Sequence, residues 1–229
     1  MELKQIRERE RRAENEKRKQ KMIEAAFACF SKKGMEAASI ADIAAEAAFG
    51  EATVYRYFSN KETLALECGK WFWSMACDFL KKWSETPEFQ GQSGLEQVES
   101  LIRRSFVFYR ENREGFCLIH SLDGFLLSRR VEPEQLLEYE RAVDALRPCL
   151  CDAIEKGKRD GSIKEGTETQ ELYYALTTGI MSVMQKQAAA GNLLSSDRIV
   201  DSDKKLEVFL ELVITGLTSV CGRQEGKHD

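Results

Sequence analysis

The sequence predicts an all-α protein, with an N-terminal three-helix helix-turn-helix domain joined to a larger helical domain. Three observations carry that expectation. Apolar residues recur at helical steps along most of the chain, with no strand-period run of useful length and no internal repeat. Gly34, Gly50, Pro87, Pro133 and Asp160-Gly161 punctuate these stretches as helix starts, stops and turns do. Residues 39–58 read as two short helices around a tight turn, a unit whose second helix can enter the DNA major groove.

The elements follow in order. Glu2 to Lys21 is a mixed-charge run in which Glu8/Arg12 and Glu14/Arg18 are four apart with the acid first, the favourable helix order. It reads as a solvated helical or disordered arm, or as an arm touching DNA phosphate through Arg11, Arg12, Lys17, Arg18 or Lys21. Met22 to Lys33 is the first helix of the DNA-binding domain. It turns Ile23, Ala26, Phe27 and Phe30 inward and is ended by Gly34. Ser39 and Asp42 form a capping box for the next helix, whose inner face is Ile40, Ile43, Ala44 and Ala47. Gly50 is available as a turn residue or N-cap, and Val54, Tyr57 and Phe58 form the following apolar face. Ser59 and Glu62 suggest a second capping box, opening a linking helix from about Lys61 that ends before Pro87. Gln90 to Gly94 reads as a polar loop. Leu95–Tyr109 and Phe116–Leu127 read as helices, and a run from Pro133 towards Lys158 should be kinked or interrupted at Pro148. Thr169–Ala190 and Asp203–Val220 are the last two helices, with a loop between them. The domain boundary is placed at 66/67.

The residues between Met22 and Leu64 resemble the N-terminal domain of TetR-type transcriptional regulators. The match runs through Ile23-x-x-Ala26-x-x-x-x-Phe30-x-x-x-Gly34 and Ser39-Ile40-x-x-Ile43-Ala44-x-x-Ala47, and ends in Thr53-Val54-Tyr55-x-Tyr57-Phe58-x-x-Lys61-Glu62-x-Leu64. Three departures stand out: Ala48 replaces the usual turn glycine, Gly50 the usual small polar cap, and Ala52 the usual glycine of the recognition helix. The candidate DNA-binding residues are Ser39, Glu51, Ala52, Thr53, Tyr55, Arg56 and Lys61. Thr and Tyr hydroxyls can bond phosphate, Arg can reach guanine or phosphate, and helix N-termini at Ser39 and Lys61 attract phosphate. Glu51 sets an acid near that face.

Composition is that of a globular protein, 43% hydrophobic and 31% charged. No apolar run approaches a membrane span, and no charged leader followed by an apolar core is visible, so a cytoplasmic protein without a membrane role is expected. The net charge of −4 is unevenly placed: Met1 to Leu64 holds 13 Lys/Arg against 11 Asp/Glu, and the remainder is acidic. The seven cysteines are scattered and read as reduced core thiols.

Leu206, Leu210, Val213, Leu217 and Val220 step 4, 3, 4, 3, and Leu172, Leu176, Gly179 and Val183 step 4, 3, 4. Two such seams suggest a four-helix bundle between subunits, with 169–190 and 203–220 forming a homodimer; burial within one chain is the alternative. The resemblance implies dimerisation by these helices as well. Between the two ends lies an aromatic-rich region. It is read either as packed core or as a site for a mostly apolar small-molecule effector, with Trp71, Met75, Phe79, Phe106, Tyr109, Phe116, His120 and Tyr139 as candidate lining. His120 reads alternatively as a buried, hydrogen-bonded core histidine. No catalytic constellation, metal-ligand spacing or phosphate-binding loop is present, so no enzyme, metal or cofactor is expected. The reading is a ligand-responsive repressor binding an inverted repeat of double-stranded DNA as a dimer. The alternatives are a ligand-independent architectural DNA-binding protein of the same fold and an all-helical enzyme.

Overall fold

The computed structural model describes residues 2–129, 131–166, 168–191 and 193–218, and every regular element among them is helical. In chain order these are α1 (Glu2–Lys33), α2 (Ile40–Ala47), α3 (Glu51–Tyr57), α4 (Lys61–Ser84), α5 (Pro87–Gln90), α6 (Gly94–Glu111), α7 (Arg113–Leu127), α8 (Pro133–Val143), α9 (Arg147–Asp160), α10 (Thr169–Ala190) and α11 (Ser202–Leu217). By compactness the chain forms two units, one of residues 1–75 with 114–143, the other of 76–113 with 144–229. The boundary expected at 66/67 falls inside α4, which contributes its first turns to one unit and its last turns to the other.

In the first unit, the arm and the first expected helix are one uninterrupted α1, because no breaker separates them and charge pairs such as Glu14–Arg18 (3.1 Å) support the solvated turns. Met22, Ile23, Ala25, Ala26, Cys29 and Phe30 are buried along its second half. Helix α4 packs on α1 through an edge-to-face contact of Phe27 and Trp71 at 5.3 Å and an ion pair of Lys19 with Glu67 at 3.0 Å. Phe72 meets Phe116 edge-on, and Trp73 Nε1 donates to the Tyr139 hydroxyl at 3.1 Å.

In the second unit, α6 begins with a capping box of Ser93 and Glu96 and lies against α9 where two glycines cross. A Cβ on Gly94 would stand 1.9 Å from the backbone nitrogen of Gly157, so no side chain fits. Pro148 sits in the first turn of α9, after a short 3-10 turn at Asp144–Leu146. The expected interruption is thus a helix end and a new start, where proline costs no hydrogen bond. Gly161, at φ 77, closes α9. Arg103–Glu207 and Arg110–Asp203 ion pairs tie α6 to α11.

Several expectations are corrected. The cap of α4 is Asn60, whose Oδ1 accepts the Thr63 N–H at 2.7 Å, while the Ser59 hydroxyl meets that of Thr63. The loop before α6 contains the short α5, and Ser195–Arg198 forms a 3-10 turn before α11. His120 is exposed on α7, so it is not a core histidine. Leu206, Leu210 and Leu217 are buried within this chain, as are Leu176 and Ile180 of α10, so the seam of α11 faces inward; Val220 lies outside the described residues. Cys29, Cys68 and Cys77 are buried and Cys117, Cys149 and Cys151 are half-buried, while Cys221 lies outside the described residues. Burial pushes the Cys29, Cys68, Cys149 and Cys151 thiols up, away from the reactive thiolate.

Candidate nucleic-acid interface

Helix α2 is fixed at its start by one carboxylate doing several tasks. Asp42 Oδ2 accepts the Ser39 N–H at 2.9 Å and its hydroxyl at 2.8 Å, and the Ser39 Oγ accepts the Asp42 N–H at 3.1 Å. Asp42 Oδ1 accepts the Lys33 ammonium at 2.6 Å, which fastens the end of α1 to α2. The Lys33 hydrogen bond first, then those from Ser39, hold this carboxyl well below the usual carboxylate range. Ile40, Ile43, Ala44 and Ala47 are buried as the periodicity requires.

The turn to α3 is built without glycine. Ala48 adopts the left-handed conformation at φ 58 and ψ 42, the one non-glycine residue with positive φ among those described. Its N–H donates to the Ala45 carbonyl at 3.1 Å, and the Phe49 N–H donates to that of Ala44 at 2.9 Å. That pair of bonds is a Schellman motif with alanine in glycine's place. Gly50 is the N-cap of α3. Its carbonyl takes the Thr53 N–H at 2.8 Å.

Helix α3 is seven residues long and is held by a fully buried Val54 and a buried Phe58 at its end. Its outward residues are Glu51, Ala52, Tyr55 and Arg56, with Thr53 half-buried beside them. Tyr55 is 52% exposed. Arg56 lies 5.6 Å from the Tyr57 ring. Five expected residues, Glu51, Ala52, Thr53, Tyr55 and Arg56, are therefore together on one short helix. Ser39 and Lys61 are at the starts of α2 and α4 as expected, but their side chains are engaged. The Lys61 ammonium donates to the Glu36 carbonyl at 3.0 Å and lies 5.6 Å from the Phe125 ring, and burial lowers its pKa. The Ser39 backbone N–H is likewise taken, by Asp42 Oδ2.

Two contacts were not legible in the sequence. The Tyr57 hydroxyl donates to Asn15 Oδ1 at 3.1 Å, and Lys21 Nζ lies 5.5 Å from the Phe49 ring. Both join α1 to the α2–α3 unit. Phe49, aromatic and half-buried in a turn, was the available signal.

Of the expected effector-site residues, Trp71, Met75, Phe116, His120 and Tyr139 belong to the first unit, and Phe79, Phe106 and Tyr109 to the second. Within the second unit a cleft of about 410 Å³ is lined by Tyr109 and Val200, by Arg110, Arg113 and Arg198, and by Asp197, Asp201, Ser202 and Asp203. Arg110 is paired there with Asp203 at 3.0 Å.

Comparison with known proteins agrees with this geometry. Residues 22–68 match the family of bacterial regulatory proteins described as tetR family. The uncharacterized HTH-type transcriptional regulator YerO of Bacillus subtilis (strain 168) is 28% identical over 120 residues, which are 52% of this chain and 38% of that protein. The transcriptional regulator FadR of Bacillus subtilis, solved in complex with stearoyl-CoA, has a similar fold at TM-score 0.67 and 18% identity, over 86% of this chain and 98% of that one. The ketosteroid transcriptional regulator KstR2 of Mycobacterium tuberculosis is similar at TM-score 0.61 and 18% identity, over 88% and 95%.

Proposed function

The chain belongs to the TetR family of DNA-binding transcriptional regulators, and from that premise we propose a ligand-responsive repressor that grips an inverted-repeat operator as a homodimer. The observation that carries the DNA reading is α3: a short helix that exposes Tyr55 and Arg56 side by side, with Thr53 half-buried between them and the core. Thr53 and Tyr55 are assigned to phosphate and Arg56 to a base edge or phosphate.

The dimer reading rests on what α10 and α11 leave uncovered. With Leu206, Leu210 and Leu217 turned inward, Tyr174, Val208 and Leu212 remain outside, Leu212 at 67% exposure. A second copy of the same helices is the proposed cover, and two-fold symmetry would match a palindromic site. The effector is proposed to be a small molecule with polar groups, since the cleft sets Arg110, Arg113 and Arg198 beside Asp197, Asp201 and Asp203. Binding that favours one dimer arrangement would change the spacing of the two α3 helices and lower DNA affinity, by about 1–3 kcal/mol for a typical coupling.

Gel-shift titration against a selected inverted repeat and a scrambled duplex tests the core of this reading. Tyr55→Ala should weaken binding to both duplexes. Arg56→Ala should cost about 1–3 kcal/mol on the selected duplex if it reads a base, and relax specificity. Equal wild-type affinity for both duplexes at physiological salt would sink sequence-specific regulation.

A further inference from the structure

The first half of α1 has an unusual division of charge. Residues 4, 7, 11, 14, 18 and 21 recur at steps of three and four, so they share one face, an arc of about 100° at 3.6 residues per turn. That face carries Lys4, Arg7, Arg11, Arg18 and Lys21 against the single acid Glu14, which Arg18 holds at 3.1 Å. Glu10 and Glu8 flank the arc, about 20° and 40° outside its two edges, and Glu16 lies on the opposite side with Arg9. Residues 4–18 are exposed.

The direction of this face is fixed further along the helix. The same series continues to Ala25 and Cys29, which are buried, and at the end of the helix Lys33 holds Asp42 of α2 at 2.6 Å. The basic stripe therefore runs along the side of α1 on which α2 packs. It joins the candidate interface directly, because Lys21 sits by Phe49 in the α2–α3 turn and the neighbouring Asn15 receives the Tyr57 hydroxyl. From Asn15 to Lys4 the helix extends about 16 Å at 1.5 Å per residue. Beyond the Glu14–Arg18 pair, folding rewards such a stripe little: like charges three and four apart repel, and a solvated helix without a packed face is marginal.

We infer that this stripe is a second DNA contact, a helix laid along the phosphate backbone beside the groove that α3 enters. The occupant is committed by charge and by continuity: a polyanion with evenly repeated charges, already placed against α3. The contact extends the footprint and carries no sequence information, since Lys and Arg here meet phosphate alone. The inference rests on the DNA-binding reading of α3.

The test uses the full chain and equilibrium binding at several salt concentrations, on a selected operator and on a scrambled duplex of equal length. The stripe variant replaces Lys4, Arg7 and Arg11 by Gln. A control of equal net charge replaces Arg9, Lys81 and Lys82 by Gln, residues outside the stripe and exposed. Circular dichroism and thermal unfolding confirm that both remain folded. Removing three phosphate contacts should flatten the slope of log K against log salt by up to about 2.7 per protomer, and weaken binding about tenfold or more on both duplexes. The control should change little. Trimming the duplex to the segment covered by the α3 helices should erase the difference between wild type and the stripe variant. Equal losses in stripe and control variants, or none in either, overturn the inference while leaving α3 intact. A Tyr55→Ala variant with wild-type affinity would instead overturn the reading on which it rests.

Discussion

Replacing Ala48 by Gly should stabilise the DNA-binding unit. Ala48 sits at φ 58 and ψ 42, where its Cβ crowds the following carbonyl, a strain of about 1–2 kcal/mol for an L-residue. The side chain is exposed, so deleting its methyl group removes no core contact. Both hydrogen bonds of the motif are backbone bonds and persist. Against the relieved strain stands the extra freedom glycine gives the unfolded chain, about 0.4–1 kcal/mol. The net is a gain of about 0.5–1 kcal/mol. Urea unfolding followed by circular dichroism would show it as a raised midpoint with an unchanged slope. Slower hydrogen exchange at the Phe49 amide would place the effect in the turn. Ala48→Val is the converse test, since a β-branched residue is a true outlier in this region, and it should destabilise by more than the glycine gains. A glycine variant less stable than wild type by 0.5 kcal/mol or more (about the size of the expected gain) would refute the strain argument.

Gly94→Ala should abolish the close crossing of α6 and α9, because its Cβ would stand 1.9 Å from one backbone atom and 2.2 Å from another. A loss of about 3 kcal/mol or more in urea unfolding is expected, and near-wild-type stability would contradict the crossing. Burial pushes the Tyr139 hydroxyl up to about 12. Its folded value thus lies above its unfolded value, so the stability it contributes is intact below pH 10 and is lost as pH rises towards 12. An alkaline titration should show unfolding in that window, and Tyr139→Phe should remove the step. Leu212→Glu should give a folded monomer by light scattering, whereas Leu210→Glu should lose helicity, because the one residue is exposed and the other fully buried. A Leu212→Glu protein that remains dimeric, or a wild type monomeric at micromolar concentration, would remove α11 from the dimer reading.

What the sequence disclosed and what it hid follow from the range of each interaction. Ser39 and Asp42 are three residues apart, Pro148 acts on its own turn, and the Asp160-Gly161 step sets a single dihedral; such signals are complete within a few residues, and each appears as read. The helix-turn-helix is assembled almost wholly from signals of this kind, which is why the element that binds DNA was the most legible part of the chain. Ala48 was the exception, since nothing in an alanine announces a left-handed turn; the Schellman bonds around it impose one. The Tyr57–Asn15 bond spans 42 residues and has no local trace. Periodicity has a different limit. A 4, 3, 4, 3 series names a face but not what covers it, and for Leu206, Leu210 and Leu217 the cover is this chain's own interior. Any surface offered to a partner must then lie on the opposite side of α11, where Val208 and Leu212 interrupt an otherwise polar face. The same reasoning separates the two halves of α1: one series of threes and fours begins in exposed Lys and Arg and ends in buried Ala25 and Cys29. A helix whose single face changes from basic to apolar where it meets α2 is a helix that passes from one partner to another. Protein covers the apolar part, and the polyanion proposed for the stripe would cover the charged remainder.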